Sequence, residues 1–289
     1  MENQIYFDNG STSWPKAPGV AEAVGGLLTR GAFNINRGNY EGAYEVEGMV
    51  LETREQLARL FGASSSRNVI FTPSVTYSLN YFIKGFLKPG DHVIVTGIEH
   101  NAGTVSLESL EGLIRENTKA VIASHASNVC GTVTPIQEIG EICRRHHIFF
   151  AVDSAQSAGT LDIRMEDWGI DFLAFTGHKG LLGPQGIGGF LLSEALDQEM
   201  EPLIAGGTGS QSDSYEMPRT LPDKYESGTM NLPGIAGLHA ALSYLEETGI
   251  QTIRQKKMEL TGYFLDQARE IPGVRIVGKQ GIRDRVAVV

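Results

Sequence analysis

The segment DFLAFTGHKGLLGPQGIGG, Asp171 to Gly189, decides how the chain is read. Its first part, Phe172-Leu173-Ala174-Phe175, is short and continuously apolar, as expected of a strand buried on both faces. The run stops at Thr176-Gly177-His178-Lys179, and Gly180, Gly183, Gly186, Gly188 and Gly189 follow. A lysine at the end of a buried strand, among small residues, is poorly hydrated. Poor hydration lowers an ammonium pKa, so Lys179 is a candidate nucleophile or Schiff-base amine. The plain alternative is an ordinary loop lysine in water.

Moving upstream, residues 148–152 form an apolar run that ends on Asp153. A carboxylate at the end of a buried strand needs a partner: either a local turn, which it caps, or a ligand facing the strand ends. Residues 136–147 have helical spacing, with Ile136, Ile139, Ile142 and Cys143 inward and Arg144 to His147 as a solvated end. Adjacent His146 and His147 point apart on a helix and do not read as a metal pair. Strands are predicted at 119–124, 92–96 and 68–72, with a short helix over 107–114. A helix over 77–87 carries Leu79, Phe82, Ile83 and Phe86 on one face. The turn Thr72-Pro73-Ser74-Val75-Thr76 delivers small hydroxyls to that helix's N-terminus, which makes either an anion site or a plain N-cap. Further back are a loop over 31–43, a helix over 45–61 capped by Gly62, and a first helix over 18–28. Downstream, the reading gives a strand at 186–192, a loop at 202–218, helices at 235–247 and 251–271, and strands at 274–277 and 286–289.

Strands alternating with helices from 68 to 192 imply a largely parallel sheet with helices on both faces. The polar strand ends at 72–76, 97–101, 125–131, 153–156 and 176–179 then share one edge. A lysine, a carboxylate, a histidine, two amides and a hydroxyl-bearing helix N-terminus converge there. Such a set suits an anionic, nitrogen-containing cofactor held by a phosphate.

Composition narrows the classes. The 289 residues carry a formal net charge of −10, which argues against non-specific nucleic-acid binding. No apolar run reaches membrane-spanning length, and Met1-Glu2-Asn3-Gln4 begins polar, unlike a signal segment. The two cysteines, Cys130 and Cys143, have no metal-ligand spacing, and a reducing, cytoplasmic location is expected. Cys130 lies two residues after Asn128 and reads as a small buried thiol or a reactive one; Cys143 reads as core. There is no GxxxxGK[ST] and no strand-linked GxGxxG, which disfavours a nucleotide-binding protein.

The ordered pieces YFDNGSTSWPK, GNYEGA, FTPSVTYSLN, PGDHVIVTGIEHNA, HASNVCGTVTPI, AVDSAQSAG, FTGHKGLLGPQGIGG, YESGTMNLPG and RIVGKQGIRDRVAVV run from one end of the chain to the other. Together they resemble the class V aminotransferases of fold-type I, which use pyridoxal 5'-phosphate (PLP), and within them the cysteine desulfurase-like proteins. The resemblance implies a mostly parallel seven-stranded sheet with helices on both faces, plus a small α+β domain present only in part. Residues 15–247 would form the large PLP-binding domain, and 1–14 with 248–289 would belong to the small one. Lys179 would form the Schiff base with PLP and later move the substrate Cα proton. Asp153 would keep the pyridine nitrogen protonated, and His100 would stack on the ring. Asn128 and Gln156 would bond near the ring hydroxyl and the substrate. Ser74, Val75, Thr76, Thr176 and His178 would hold the phosphate, completed by Thr229 from a partner subunit. That implies a homodimer with shared sites.

The resemblance also implies a small amino-acid substrate and, for a desulfurase, a sulfur-acceptor protein. Ser74 stands where the family has glycine, so it lacks glycine's tolerance of positive φ. The family pattern is longer between Ala102 and Gly103. It also continues past Val289, through the segments that carry the sulfur-accepting cysteine and the arginine that grips the substrate carboxylate. Transamination, selenocysteine cleavage, β-elimination and a non-catalytic PLP-fold partner therefore stay open beside cysteine desulfuration.

Overall fold

The computed structural model describes residues 5–31, 33–35, 38, 40–97, 105–208 and 217–289. In chain order it runs α1 (Val20–Arg30), α2 (Glu41–Phe61), β1 (Val69–Thr72), α3 (Val75–Phe86), β2 (His92–Val95), α4 (Leu107–Gly112), β3 (Thr118–Ser124) and α5 (Ile136–Arg145). It continues with β4 (Phe149–Asp153), β5 (Phe172–Thr176), β6 (Gly188–Leu192), α6 (Glu194–Glu199), α7 (Leu232–Thr248) and α8 (Ile250–Arg269).

Among the described residues the sheet has six strands, ordered β1-β6-β5-β4-β3-β2, rather than the seven expected. Strands β2 to β5 are mutually parallel, whereas β6 is antiparallel to both β1 and β5. The direction of β6 follows from chain length. A parallel neighbour needs a crossover of about a dozen residues or more, normally holding a helix. The link from Gly177 to Ile187 is short and glycine-rich, so the chain turns back at once and Thr176 pairs with Gly188.

Alternation along the strands feeds two apolar layers. Leu173, Phe175, Val152 and Val121 pack with Leu57 and Phe61 of α2, Ile139 and Ile142 of α5, and Ile235 and Leu238 of α7. Phe172, Ala174 and Phe190 face Phe82 and Phe86 of α3 and Leu196 of α6. Helices thus cover both faces. The inward stripe of α3 is rotated from the expected one: Ser78, Tyr81, Phe82 and Phe86 are buried, while Ile83 is 44% exposed. Tyr81 takes the inward place because its hydroxyl donates to the Tyr225 carbonyl at 3.1 Å.

Helix α2 starts earlier than its spacing suggested and ends on Gly62 at φ 64°, the left-handed C-cap expected there. Helix α6 has six residues, too few to carry a period, and was not foreseen. The strands expected at 274–277 and 286–289 do not form. Among the described residues neither segment pairs with a strand; a single bridge, between Thr132 and Arg285, lies just before the second.

Candidate active site

Strands β1, β3, β4 and β5 share one direction, so their carboxyl ends reach the same edge. Two glycines fix how two of those ends meet. A Cβ on Gly180 would lie 2.2 Å from the Ala158 carbonyl, and one on Gly159, at φ 73°, would lie 2.4 Å from the Gly180 carbonyl. Only backbone fits between the loop after β4 and the loop after β5. That contact brings Asp153 and Lys179 into electrostatic reach. Burial lowers the Lys179 ammonium pKa, and the Asp153 carboxylate opposes the shift without cancelling it. Asp153 Oδ1 accepts the Ala155 N–H at 2.8 Å, which orients the carboxylate.

The β1–α3 turn comes to the same place. A Cβ on Gly188 would lie 2.7 Å from the Phe175 carbonyl and 3.3 Å from the Cα atoms of both Ser74 and Thr176. Glycine here lets the N-terminus of α3 rest against the end of β5. Ser74 caps α3 by accepting the Tyr77 N–H at 3.4 Å. Its φ is −168°, ordinary extended backbone, so the expected cost of losing glycine at this position does not arise. Val75 and Thr76 open the helix, where backbone N–H groups lack intrahelical acceptors. Thr176 is buried at the end of β5.

His178 is the most informative side chain. Its Nδ1 is buried with no hydrogen-bond partner among the described residues. Burial, and then the charges of Lys16 and Lys179, hold its pKa below the usual imidazole range. A buried ring nitrogen left unpaired is costly, and a bound acceptor would relieve it. An unpaired ring nitrogen, a helix N-terminus and the hydroxyls of Ser74, Thr76 and Thr176 fit a phosphate, while a lysine in electrostatic reach of a carboxylate fits a pyridine aldehyde. The residues present therefore suit PLP.

The other expected residues divide. Gln156 donates its amide to the Gly10 carbonyl at 3.0 Å, so it is tied to the N-terminal segment. Asn128 is exposed in the turn after β3. His100 lies outside the described residues. Thr229 is exposed and lines a cavity of about 80 Å³ with Asn34, Ile35, Thr208, Asp223 and Glu226. Its loop is held by Glu226, whose carboxylate takes both Arg54 guanidinium nitrogens, at 3.0 and 2.6 Å, and the Phe71 N–H at 2.6 Å. A larger open groove of about 550 Å³ between α4 and α5 holds none of these residues.

Cys130 is buried against Ser127 and Thr132, each 3.4 Å from its sulfur. Burial raises its pKa, but those hydrogen bonds and the Arg285 charge outweigh it and leave the thiol lowered. Cys143 is core as expected, its pKa pushed up to about 12 by burial and then by Asp171. Lys16, Thr12 and Ser13, which all meet the His178 carbonyl, were not foreseen. The only sequence signal was a run of small polar residues ending in a lysine. Among the described residues no group of acidic, histidine or cysteine side chains could hold a metal, and no helix is long and apolar enough to cross a membrane.

The family profile described as aminotransferase class-V matches residues 5–111 and 101–289. The two matched segments overlap over residues 101–111, the stretch in which the sequence reading places the family's longer segment, between Ala102 and Gly103. A protein named probable cysteine desulfurase from Halalkalibacterium halodurans is 34% identical over 96% of this chain and 75% of its own length. Another of that name from Halobacterium salinarum is 32% identical over 100% of this chain and 76% of its own. Among solved structures, the apo cysteine desulfurase of Thermococcus onnurineus NA1 superposes with a TM-score of 0.88 at 29% identity. That match covers 98% of this chain and 77% of the other.

Proposed function

The chain belongs to the class V aminotransferase family, and from that premise we propose that it is a PLP-dependent cysteine desulfurase. It would take a sulfur atom from cysteine and leave alanine. The observation that carries the proposal is Lys179 within electrostatic reach of Asp153, beside the unpartnered His178 Nδ1. The names of its relatives point the same way.

Bound PLP supplies a protonated pyridine ring that accepts the electron pair released at the substrate Cα. Lys179 Nζ would hold the cofactor covalently, and its lowered pKa favours the neutral amine this requires. The same Nζ would be the base that takes the substrate Cα proton. The Asp153 carboxylate holds the proton on the ring nitrogen. Ser74, Thr76, Thr176, His178 and the first N–H groups of α3 bind the phosphate, where the helix dipole favours an anion. The family resemblance would give His100 the role of stacking on the ring, and would set Asn128 and Gln156 near the substrate. A second copy of the chain supplies Thr229, making a homodimer with two shared sites. Residues 15–247 are the large domain in this reading, with 1–14 and 248–289 belonging to the small one. Sulfur would leave by attack of an acceptor thiolate, supplied as a separate thiol, on the substrate sulfur: an S–S bond forms, the C–S bond breaks, and the carbon keeps the electron pair and gains a proton. Neither Cys130 nor Cys143 matches the family's sulfur-accepting position. A sulfur-acceptor protein and a cytoplasmic location complete the proposal.

The test is to load the chain with PLP, add cysteine together with an excess of a small thiol as sulfur acceptor, and measure sulfide and alanine. Equimolar sulfide (in reductant) and alanine are expected. Pyruvate with sulfide would indicate β-elimination instead, and PLP uptake without turnover would indicate a non-catalytic role.

A further inference from the structure

The carbonyl oxygen of His178 belongs to the peptide bond that leads directly into Lys179. Four donors from one distant segment converge on it: Ser13 N at 2.9 Å, Ser13 Oγ at 3.0 Å, Thr12 Oγ1 at 3.2 Å and Lys16 Nζ at 3.0 Å. A carbonyl offers two lone pairs, so this oxygen is saturated. Lys16 Nζ also donates to Thr12 Oγ1 at 3.1 Å and to Ser13 Oγ at 3.3 Å, holding the donors together. The segment is pinned at both ends: Gly10 accepts the Gln156 amide at 3.0 Å, and the Ala17 N–H donates to the Leu182 carbonyl at 3.0 Å. Ser13 and Ala17 are buried under it.

We propose that residues 10–17 are a strap that fixes the peptide plane preceding Lys179, and that Lys16 is a positioning residue for the Lys179 amine. A hydrogen bond from an ammonium is stronger than a neutral one, and Lys16 supplies the one charged donor of the four. With the carbonyl held, the Lys179 Cα has one orientation, and only the lysine side chain has to move when the cofactor is bound or released. Positioning of that kind is worth large factors in rate, because reacting atoms must meet within a narrow range of distance and angle. Lys16 does not touch the reacting atoms. Its charge adds to the burial that lowers the pKa of the neighbouring His178 ring.

The inference rests on Lys179 being the PLP lysine, and the test separates the two. The full chain, stripped of cofactor, is mixed with PLP, and the rise of absorbance from the covalent linkage gives a rate. Borohydride reduction and peptide mapping then locate the pyridoxyl group. In Lys16→Met the rate is expected to fall about 10-fold, with the cofactor-free thermal midpoint little changed. Lys16→Arg, which keeps a charged donor, restores most of the rate. Thr12→Val with Ser13→Ala, which leaves the Ser13 N–H and Lys16 in place, gives an intermediate rate and decides the question if Lys16→Met does not fold. The strap role is overturned if either variant links PLP at the wild-type rate, or if Lys16→Arg is as slow as Lys16→Met. If the wild-type label falls on Lys16 or on no lysine, the assignment of Lys179 fails first and the strap role with it.

Discussion

At Lys179 two effects of opposite sign meet. Burial disfavours the ammonium and the Asp153 carboxylate favours it, and burial prevails. The balance suits an amine that has to be neutral to attack an aldehyde yet stay beside a carboxylate. His125, on the turn that follows β3, shows burial acting without opposition: its pKa is lowered to about 4, and its Nδ1 is buried with no partner among the described residues. Its folded-state pKa lies below the unfolded value of 6.5. Below pH 6.5 the unfolded chain binds a proton there that the folded chain refuses, so this residue lowers stability as pH falls from 6.5 toward 4. Above 6.5 it contributes no pH dependence. The slope approaches about 1.4 kcal/mol per pH unit in the middle of that window. Urea unfolding of the wild type and of His125→Phe across the window checks this, and the variant should lose about one proton's worth of slope. Asp153 and Lys179 were legible in the sequence because each ends an apolar run. His125 and Lys16 were not, because their states depend on Trp168, whose ring packs edge-on at 6.0 Å, and on the His178 carbonyl. Those partners are set by tertiary structure.

Among the elements, β6 matters most to the site. It returns antiparallel between β1 and β5 and places Gly188 where the α3 N-terminus and the end of β5 meet. A Cβ there would meet the Phe175 carbonyl at 2.7 Å, which is rigid strand backbone. Gly188→Ala is therefore expected to cost about 1–3 kcal/mol of stability. It should also weaken PLP binding, because Ser74 and Thr176 are pushed apart. Chemical denaturation and PLP titration of the same variant check both effects, and a loss of stability with unchanged PLP affinity would mean that Gly188 does not shape the cradle. Most elements could be read from apolar periodicity, from α2 through β5. The direction of β6 could also have been read, since eleven residues between Thr176 and Gly188 cannot hold a crossover helix. The segments at 274–277 and 286–289 have apolar strand-like composition but pair with no strand among the described residues, and composition alone could not reveal that. The rotated face of α3 turned on one hydroxyl, that of Tyr81, finding a carbonyl 144 residues away.

At the scale of the whole molecule, the proposal makes each site the joint product of two chains. Lys179, Asp153 and the α3 N-terminus come from one copy and Thr229 from the other. The buried Arg54–Glu226 pair ties the Thr229 loop to β1, which leads into the same chain's phosphate turn. Shared sites predict complementation. Lys179→Ala alone is inactive, and Thr229→Ala alone is expected to lose about tenfold in PLP affinity by giving up a hydrogen bond to a charged phosphate. In a heterodimer of the two, one site has every native residue. Random mixing of equal amounts should return about a quarter of wild-type turnover at limiting PLP, because half the dimers are mixed and each has one intact site. Turnover no higher than the average of the two separate variants would mean that the sites are not shared.

The central claim, that Lys179 is the lysine that carries PLP, is tested most directly by reducing the PLP-loaded chain with borohydride and mapping the modified peptide by mass spectrometry. A single pyridoxyl group on Lys179, absent from Lys179→Ala, is the predicted result. A label on any other residue, or an unchanged label in Lys179→Ala, would contradict the account.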